Sequence, residues 1–126
     1  MELTGKVALI TGGKRIGLVI ARDLASRGVD VAVSYARSRA EADQAVETVR
    51  AAGRRAAAFQ VDLSKPEAAA TLVRSVVDSF GRLDILINMA SVYVHTPFAD
   101  LTVASWDAAL NVDLRGRFSA RTRRRR

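Results

Sequence analysis

Residues 6–17 read KVALITGGKRIG, an apolar run that breaks at paired glycines and resumes as a basic, then apolar, segment. Lys6 to Thr11 is short and bounded by glycines, which suits a strand buried on both faces of a parallel sheet. Beyond GGKR, Ile16, Ile20 and Leu24 recur every four residues while Arg22, Asp23, Ser26 and Arg27 fall on the other side. That spacing predicts a helix with those three residues turned inward and Gly28 placed to end it. Gly12 and Gly13 permit close backbone approach to a phosphate, Gly17 lets the helix lie close to the sheet, and the unpaired N–H groups at the helix start attract an anion. A glycine-rich turn alone is a weak signal; its place on the first crossover strengthens it.

The same alternation continues along the chain. VDVAVSY, residues 29–35, gives a second strand, and Ser38 with Glu41 forms an S-x-x-E capping box ahead of Ala42, Val46 and Val49, which run to Gly53. AAAFQV, residues 56–61, gives a third strand that ends at Asp62. Ser64 and Glu67 repeat the box with Pro66 in the first turn, where its missing donor does no harm. Leu72, Val76 and Phe80 line one stripe with Val73 and Val77 beside it, and Gly81 closes that helix. LDILIN, residues 83–88, is a fourth strand, and Trp106, Leu110, Leu114 and Phe118 mark a last helix begun near Thr102 or Ser105. Strand and helix alternating over short connections predict an α/β fold, a doubly wound parallel sheet in the order 3-2-1-4. Its ligand crevice lies beyond the carboxyl end of strand 1, where the winding reverses.

Composition excludes several function classes. The 126 residues hold 49% hydrophobic and 26% charged side chains and no cysteine, so disulfides and thiolate metal sites are out. His95 is the single histidine, which leaves no zinc site or histidine triad to assemble. No stretch approaches the roughly 20 apolar residues that cross a bilayer, and Met1 to Leu3 does not open a secretory signal, so a cytoplasmic location is the default expectation. The net charge is +7, but residues 121–126 carry five arginines, which leaves +2 for the other 120 residues. The basicity belongs to the tail. That tail has no aromatic residue for stacking on bases, so nucleic acid is a disfavoured partner. The expected organisation is one nucleotide-binding domain over 1–120, which the family resemblance drawn below implies is incomplete, and a disordered arginine-rich tail over 121–126.

A dinucleotide site that prefers NAD offers an acidic residue at the end of strand 2 to the ribose 2′-hydroxyl. Here that stretch is SYARSR, residues 34–39, without a carboxylate. Arg37 and Arg39, with Lys14 or Arg15 from the turn, instead suit a 2′-phosphate, so the sequence leans to NADP over NAD.

Over residues 5 to 118 the chain resembles the short-chain dehydrogenase/reductase family. The motifs that carry the likeness are TGGKRIG at 11–17, Asp62 with Leu63, NMAS at 88–91 and WDAALNVDLRGRF at 106–118, in that order. The resemblance implies a Rossmann-type fold. It implies that Asp62 binds the adenine amino group with Leu63 in support, that Asn88 steadies the central sheet, and that the Ala90 backbone passes close to the cofactor. With the turn residues Thr11, Gly12, Gly13, Lys14, Arg15, Ile16 and Gly17, and with Tyr35 and Arg37 after strand 2, these form the expected cofactor set. The basic turn, SYARS and the AS after strand 4 are also similar to the pteridine-reductase-type branch, whose members use NADPH. Three departures stand out: the first turn is one residue shorter than the family's, Met89 replaces the second asparagine of N-N-A-G, and Asp113 stands at the position of the tetrad asparagine.

The family reaction is hydride transfer between NADPH and a carbonyl or alcohol. It uses a tyrosine acid, a lysine four residues later and a serine about a dozen residues earlier, because tyrosine, with a reference pKa of about 10, needs a nearby cation to work near neutrality. Tyr35 is followed at that spacing by Arg39 and Tyr93 by Pro97, so no Tyr-x-x-x-Lys is present. His95 reads as a solvated loop histidine. The resemblance further implies strand 5 beside strand 4 and a subunit interface on the last helix. Without strand 5, strand 4 is expected to present an exposed edge. The arginine run is accordingly expected to mark a lost ending.

Overall fold

The computed structural model describes residues 2–12, 14–89 and 103–104. The chain forms β1 (Val7–Gly12), α1 (Lys14–Ser26), β2 (Asp30–Tyr35), α2 (Arg39–Ala51), β3 (Ala56–Gln60), α3 (Ala68–Phe80) and β4 (Ile85–Met89). All strand pairings are parallel and the sheet order is β3-β2-β1-β4, as the alternating pattern predicts.

Alternation of side chains along each strand builds two cores from one sheet. Ala8, Ile10, Val31, Val33 and Ala56 meet Ala21, Ala25, Ala42, Ala45, Val46 and Val49 of α1 and α2. Their strand neighbours Val7, Leu9 and Ala32 face the other way, onto Leu72, Val73, Val76 and Phe80 of α3. Both faces of β1 are therefore sealed, which is why its sequence reads as an unbroken apolar run. Among the described residues β4 pairs with β1 alone, and all five of its residues remain half-buried.

Several local expectations change. The buried stripe of α1 is Gly17, Ala21 and Ala25, one position beyond the expected one, while Ile16 is 62% exposed and Ile20 and Leu24 pack only at the margin of the core. Small residues occupy the line of closest approach because they let the helix axis sit near the sheet, and the branched residues fill the flanks. Neither capping box forms. Ser38 is the N-cap of α2 but has ψ 64 and makes no side-chain cap bond; that ψ falls well short of the extended range, so the hydroxyl is not aimed at the Glu41 N–H. Ser64 spends its hydroxyl on Asp62 (2.6 Å), and the chain turns through Lys65 N to Asp62 O (3.1 Å) and Ala68 N to Lys65 O (3.2 Å) before α3 begins. The N-cap of α3 is Glu67, again without a side-chain bond. Val77 is 39% exposed, outside the α3 stripe.

The amino end of the sheet is fastened by two aspartates. Asp30, with its side chain 5% exposed, accepts from the Arg55 backbone N–H (3.0 Å) and Arg55 Nε (2.9 Å), and Arg54 Nε stands 3.0 Å from its Oδ1. Arg55 also donates to Phe80 O (3.3 Å) and lies over the Phe80 ring, joining β3 to the end of α3. Asp84 accepts from Val7 N (2.9 Å) and from both Nε and a terminal nitrogen of Arg82 (2.7 Å each). Those bonds to Arg82, with Val7 N–H adding to them, hold the Asp84 carboxyl below the usual carboxylate range. Val103 and Ala104 are helical, within the span of the predicted last helix; Trp106, Leu110, Leu114 and Phe118 lie outside the described residues.

Candidate functional site

Parallel pairing brings the carboxyl ends of all four strands to one side of the molecule, so residues far apart in sequence line a single rim. The register aligns Thr11 with both Ser34 and Asn88, and Gly12 with Met89. Thr11 is 1% exposed, and its Oγ1 donates to Asn88 Oδ1 at 2.5 Å. Because that oxygen is the accepting atom, the nitrogen of the Asn88 amide is its donating end. Thr11 and Asn88 thus clamp β1 to β4 at the point where the sheet reverses its winding.

The turn follows at once. Gly12 takes φ +70, which an L side chain rarely adopts. A Cβ on Gly17 would stand 3.0 Å from the Gly12 carbonyl oxygen, so α1 begins in direct contact with the end of β1. Lys14, the first residue of α1, has φ +33, a strained value for a non-glycine residue. Lys14, Arg15 and Ile16 are exposed at this end of the helix. Gly13 and Ala90 lie outside the described residues, as do Tyr93, His95 and Asp113.

Tyr35 ends β2 half-buried, and Arg37 is exposed in the loop after it. Arg39 does not join Arg37: it stands 3.5 Å from Asp43 on its own helix, an exposed pair at i,i+4 spacing. At the end of β3, Asp62 accepts from Ser64 N (3.0 Å) and Ser64 Oγ (2.6 Å). Those two bonds, with the Lys65 and Arg37 charges behind them, hold its carboxyl below the usual range. Leu63 is half-buried against the α3 core. The structure therefore gathers Thr11, Gly12, Lys14, Arg15, Ile16, Gly17, Tyr35, Arg37, Asp62, Leu63 and Asn88 along the carboxyl rim and leaves Arg39 aside.

Gln60 is a rim residue that sequence reasoning misses. It pairs in register with Tyr35, and its Nε2 donates to Ala36 O at 3.3 Å. A glutamine at a strand end carries no motif, and its reach to Ala36 depends on a register that only the folded sheet defines. No group of three metal-ligating side chains occurs among the described residues. Among them, too, no helix is long and apolar enough to cross a membrane.

Comparison with known proteins agrees with this fold. The family model described as short chain dehydrogenase matches residues 6–123. The chain is 42% identical over 108 residues to the short-chain dehydrogenase/reductase homolog YusS of Bacillus subtilis, covering 85% of this chain and 99% of YusS. It is 43% identical over 118 residues to versicolorin reductase 1 of Aspergillus parasiticus, covering 93% of this chain and 45% of that one. A short chain dehydrogenase from Burkholderia cenocepacia, solved in complex with NADP, superposes with a TM-score of 0.89 at 40% identity, over 99% of this chain and 51% of that one. The chain thus spans about half the length of the latter two relatives and nearly all of YusS.

Proposed function

The chain belongs to the short-chain dehydrogenase family, and from that membership we propose that its 126 residues bind NADP(H) at the carboxyl rim of the sheet. The observation that carries the reading is the charge of the rim. Lys14, Arg15 and Arg37 are exposed there, and the segment that ends β2 has no carboxylate to receive a ribose 2′-hydroxyl. A 2′-phosphate makes charge-assisted bonds with such cations, and a guanidinium can meet it with two parallel N–H groups. The neighbouring groups fit the rest of a dinucleotide. Gly17, lacking a side chain, lets α1 begin against the end of β1, so the backbone N–H groups of its first turn lie at the rim where a pyrophosphate can meet them. Asp62 is ionised and exposed, an acceptor suited to an adenine amino group.

When bound, the nicotinamide supplies the hydride for the family's exchange between a carbonyl and an alcohol. The substrate oxygen also needs a proton donor, and Tyr35 and Tyr93 are followed four residues on by Arg39 and Pro97 where the family has lysine. Tyr35 moreover ends β2, on the adenosine side of the rim. We therefore propose that these residues hold the dinucleotide without turning it over.

Titration of the purified chain with NADPH and NADH, followed by nicotinamide fluorescence, tests the reading. NADPH is expected to bind more tightly than NADH. Arg37→Ala is expected to weaken NADPH by about 10- to 100-fold, the loss of a charge-assisted hydrogen bond, with little change for NADH. Equal affinities for the two dinucleotides in the unaltered chain would sink the assignment. Oxidation of NADPH by a panel of carbonyl compounds would sink the claim of binding without turnover.

A further inference from the structure

The loop of residues 36–38 between β2 and α2 carries Arg37, and three hydrogen bonds set its course. Val61 N donates to Tyr35 O at 2.9 Å, which carries the β2–β3 ladder one residue beyond the Tyr35 and Gln60 pair. Gln60 Nε2 then donates to Ala36 O at 3.3 Å, and Arg39 N donates to Arg37 O at 3.0 Å. Ala36 and Arg37 are both exposed, so packing does not fix this part of the backbone. Among the described residues, the amide of Gln60 is the one side chain that bonds to the loop. Arg39, the other cation of the segment, is drawn to Asp43, which leaves Arg37 as the cation the loop presents.

We propose that Gln60 is a positioning residue: by holding the Ala36 carbonyl at the end of β3, it presents Arg37 to a 2′-phosphate and so sets the preference for NADP(H) over NAD(H). The proposal rests on the dinucleotide reading above. The physical reason is pre-organisation. A loop free to rotate at Ala36 and Arg37 loses that freedom when it grips a phosphate, whereas a loop already tied at Ala36 has less to lose. Arg37 is close enough to Asp62 for its charge to favour that carboxylate's ionised form. NADH, lacking the phosphate, makes no use of Arg37 and is indifferent to the tie.

The test is the ratio of NADPH to NADH dissociation constants, measured by nicotinamide fluorescence on the full chain. Gln60→Met removes the donor at nearly constant length, and Gln60→Asn keeps the amide but shortens its reach. Both are expected to weaken NADPH by about three- to ten-fold, the worth of one neutral hydrogen bond, and to leave NADH unchanged. A merely structural role would weaken both dinucleotides alike, and that result overturns the proposal. An unchanged ratio in both variants, while Arg37→Ala abolishes the preference, overturns the role of Gln60 and leaves the cofactor reading intact. No preference in the unaltered chain, or no binding of either dinucleotide, overturns both.

Discussion

Thr11→Val replaces a hydroxyl by a methyl group of nearly the same volume at a position 1% exposed, so the change removes one hydrogen bond and opens no cavity. The bond lost is Oγ1 to Asn88 Oδ1, which links β1 to β4 across the rim. A typical bond contributes about 1 kcal/mol net, and stranding a buried acceptor costs about 1–3 kcal/mol. Asn88 is only half-buried and water can reach part of its amide, so the expected loss is about 1–2 kcal/mol. With a urea slope of about 1–2 kcal/mol per molar for a domain of this size, the unfolding midpoint should fall by about 1 M. The companion variant is Asn88→Leu, which strands the Thr11 hydroxyl instead. Because each single change orphans the other partner, the double variant should lose less than the sum of the two, with a coupling of about 0.5–2 kcal/mol. Midpoints that add to within about 0.3 kcal/mol would show that the hydroxyl and the amide do not act as a pair, and the clamp would have to be abandoned.

Three other perturbations test neighbouring parts of the argument. Asp30→Ala removes the acceptor for the Arg55 backbone and guanidinium and should cost about 2–4 kcal/mol in urea unfolding, toward the lower end of losses for a broken buried pair because Arg55 is itself half in water; a loss below about 0.5 kcal/mol would refute it. Gly17→Ala brings a Cβ to 3.0 Å from the Gly12 carbonyl, whose strand is pinned in register with Met89, and should cost about 1–3 kcal/mol while weakening NADPH; unaltered stability and affinity would mean that the turn yields freely. The Asp84 carboxyl is held below its ordinary pKa of 3.8, so the folded chain binds that proton less readily than the unfolded one. The resulting stability is complete above the unfolded value and lost as pH falls through the folded one. Unfolding midpoints should drop on acidification below about pH 4, and Asp84→Asn should flatten that fall; a parallel fall in the variant would assign it to other groups.

Much of the fold was legible in the sequence because parallel strands buried on both faces carry no alternation. VALIT, DVAVSY and ILIN read as short apolar runs separated by helical stripes, and that order leaves few topologies open. What failed was local. Large residues predict an α1 stripe of Ile16, Ile20 and Leu24, whereas the helix meets the sheet through Gly17, Ala21 and Ala25, which hydropathy ranks low and close approach favours. Residue type at fixed spacing predicts the capping boxes, yet Ser64 finds a nearer acceptor in Asp62 and the backbone at Ser38 does not aim its hydroxyl. Side chains that can bond in several ways are decided by competition, and spacing does not express competition.

The sequence by itself determined the element order, the sheet order, the glycine turn at its carboxyl rim and the cationic character of the segment after β2, because these follow from residue type and from periods along the chain. Tertiary structure decided what stands beside those cations. Helix geometry pairs Arg39 with Asp43, and the register of β2 with β3 brings Gln60 to the Ala36 carbonyl beside Arg37. The same registers bring together Thr11 and Asn88, 77 positions apart in the chain, and Asp30 and Arg55, 25 apart. Contacts of that separation exist only once strands have been placed side by side, and the residues that make them carry no mark of it along the chain.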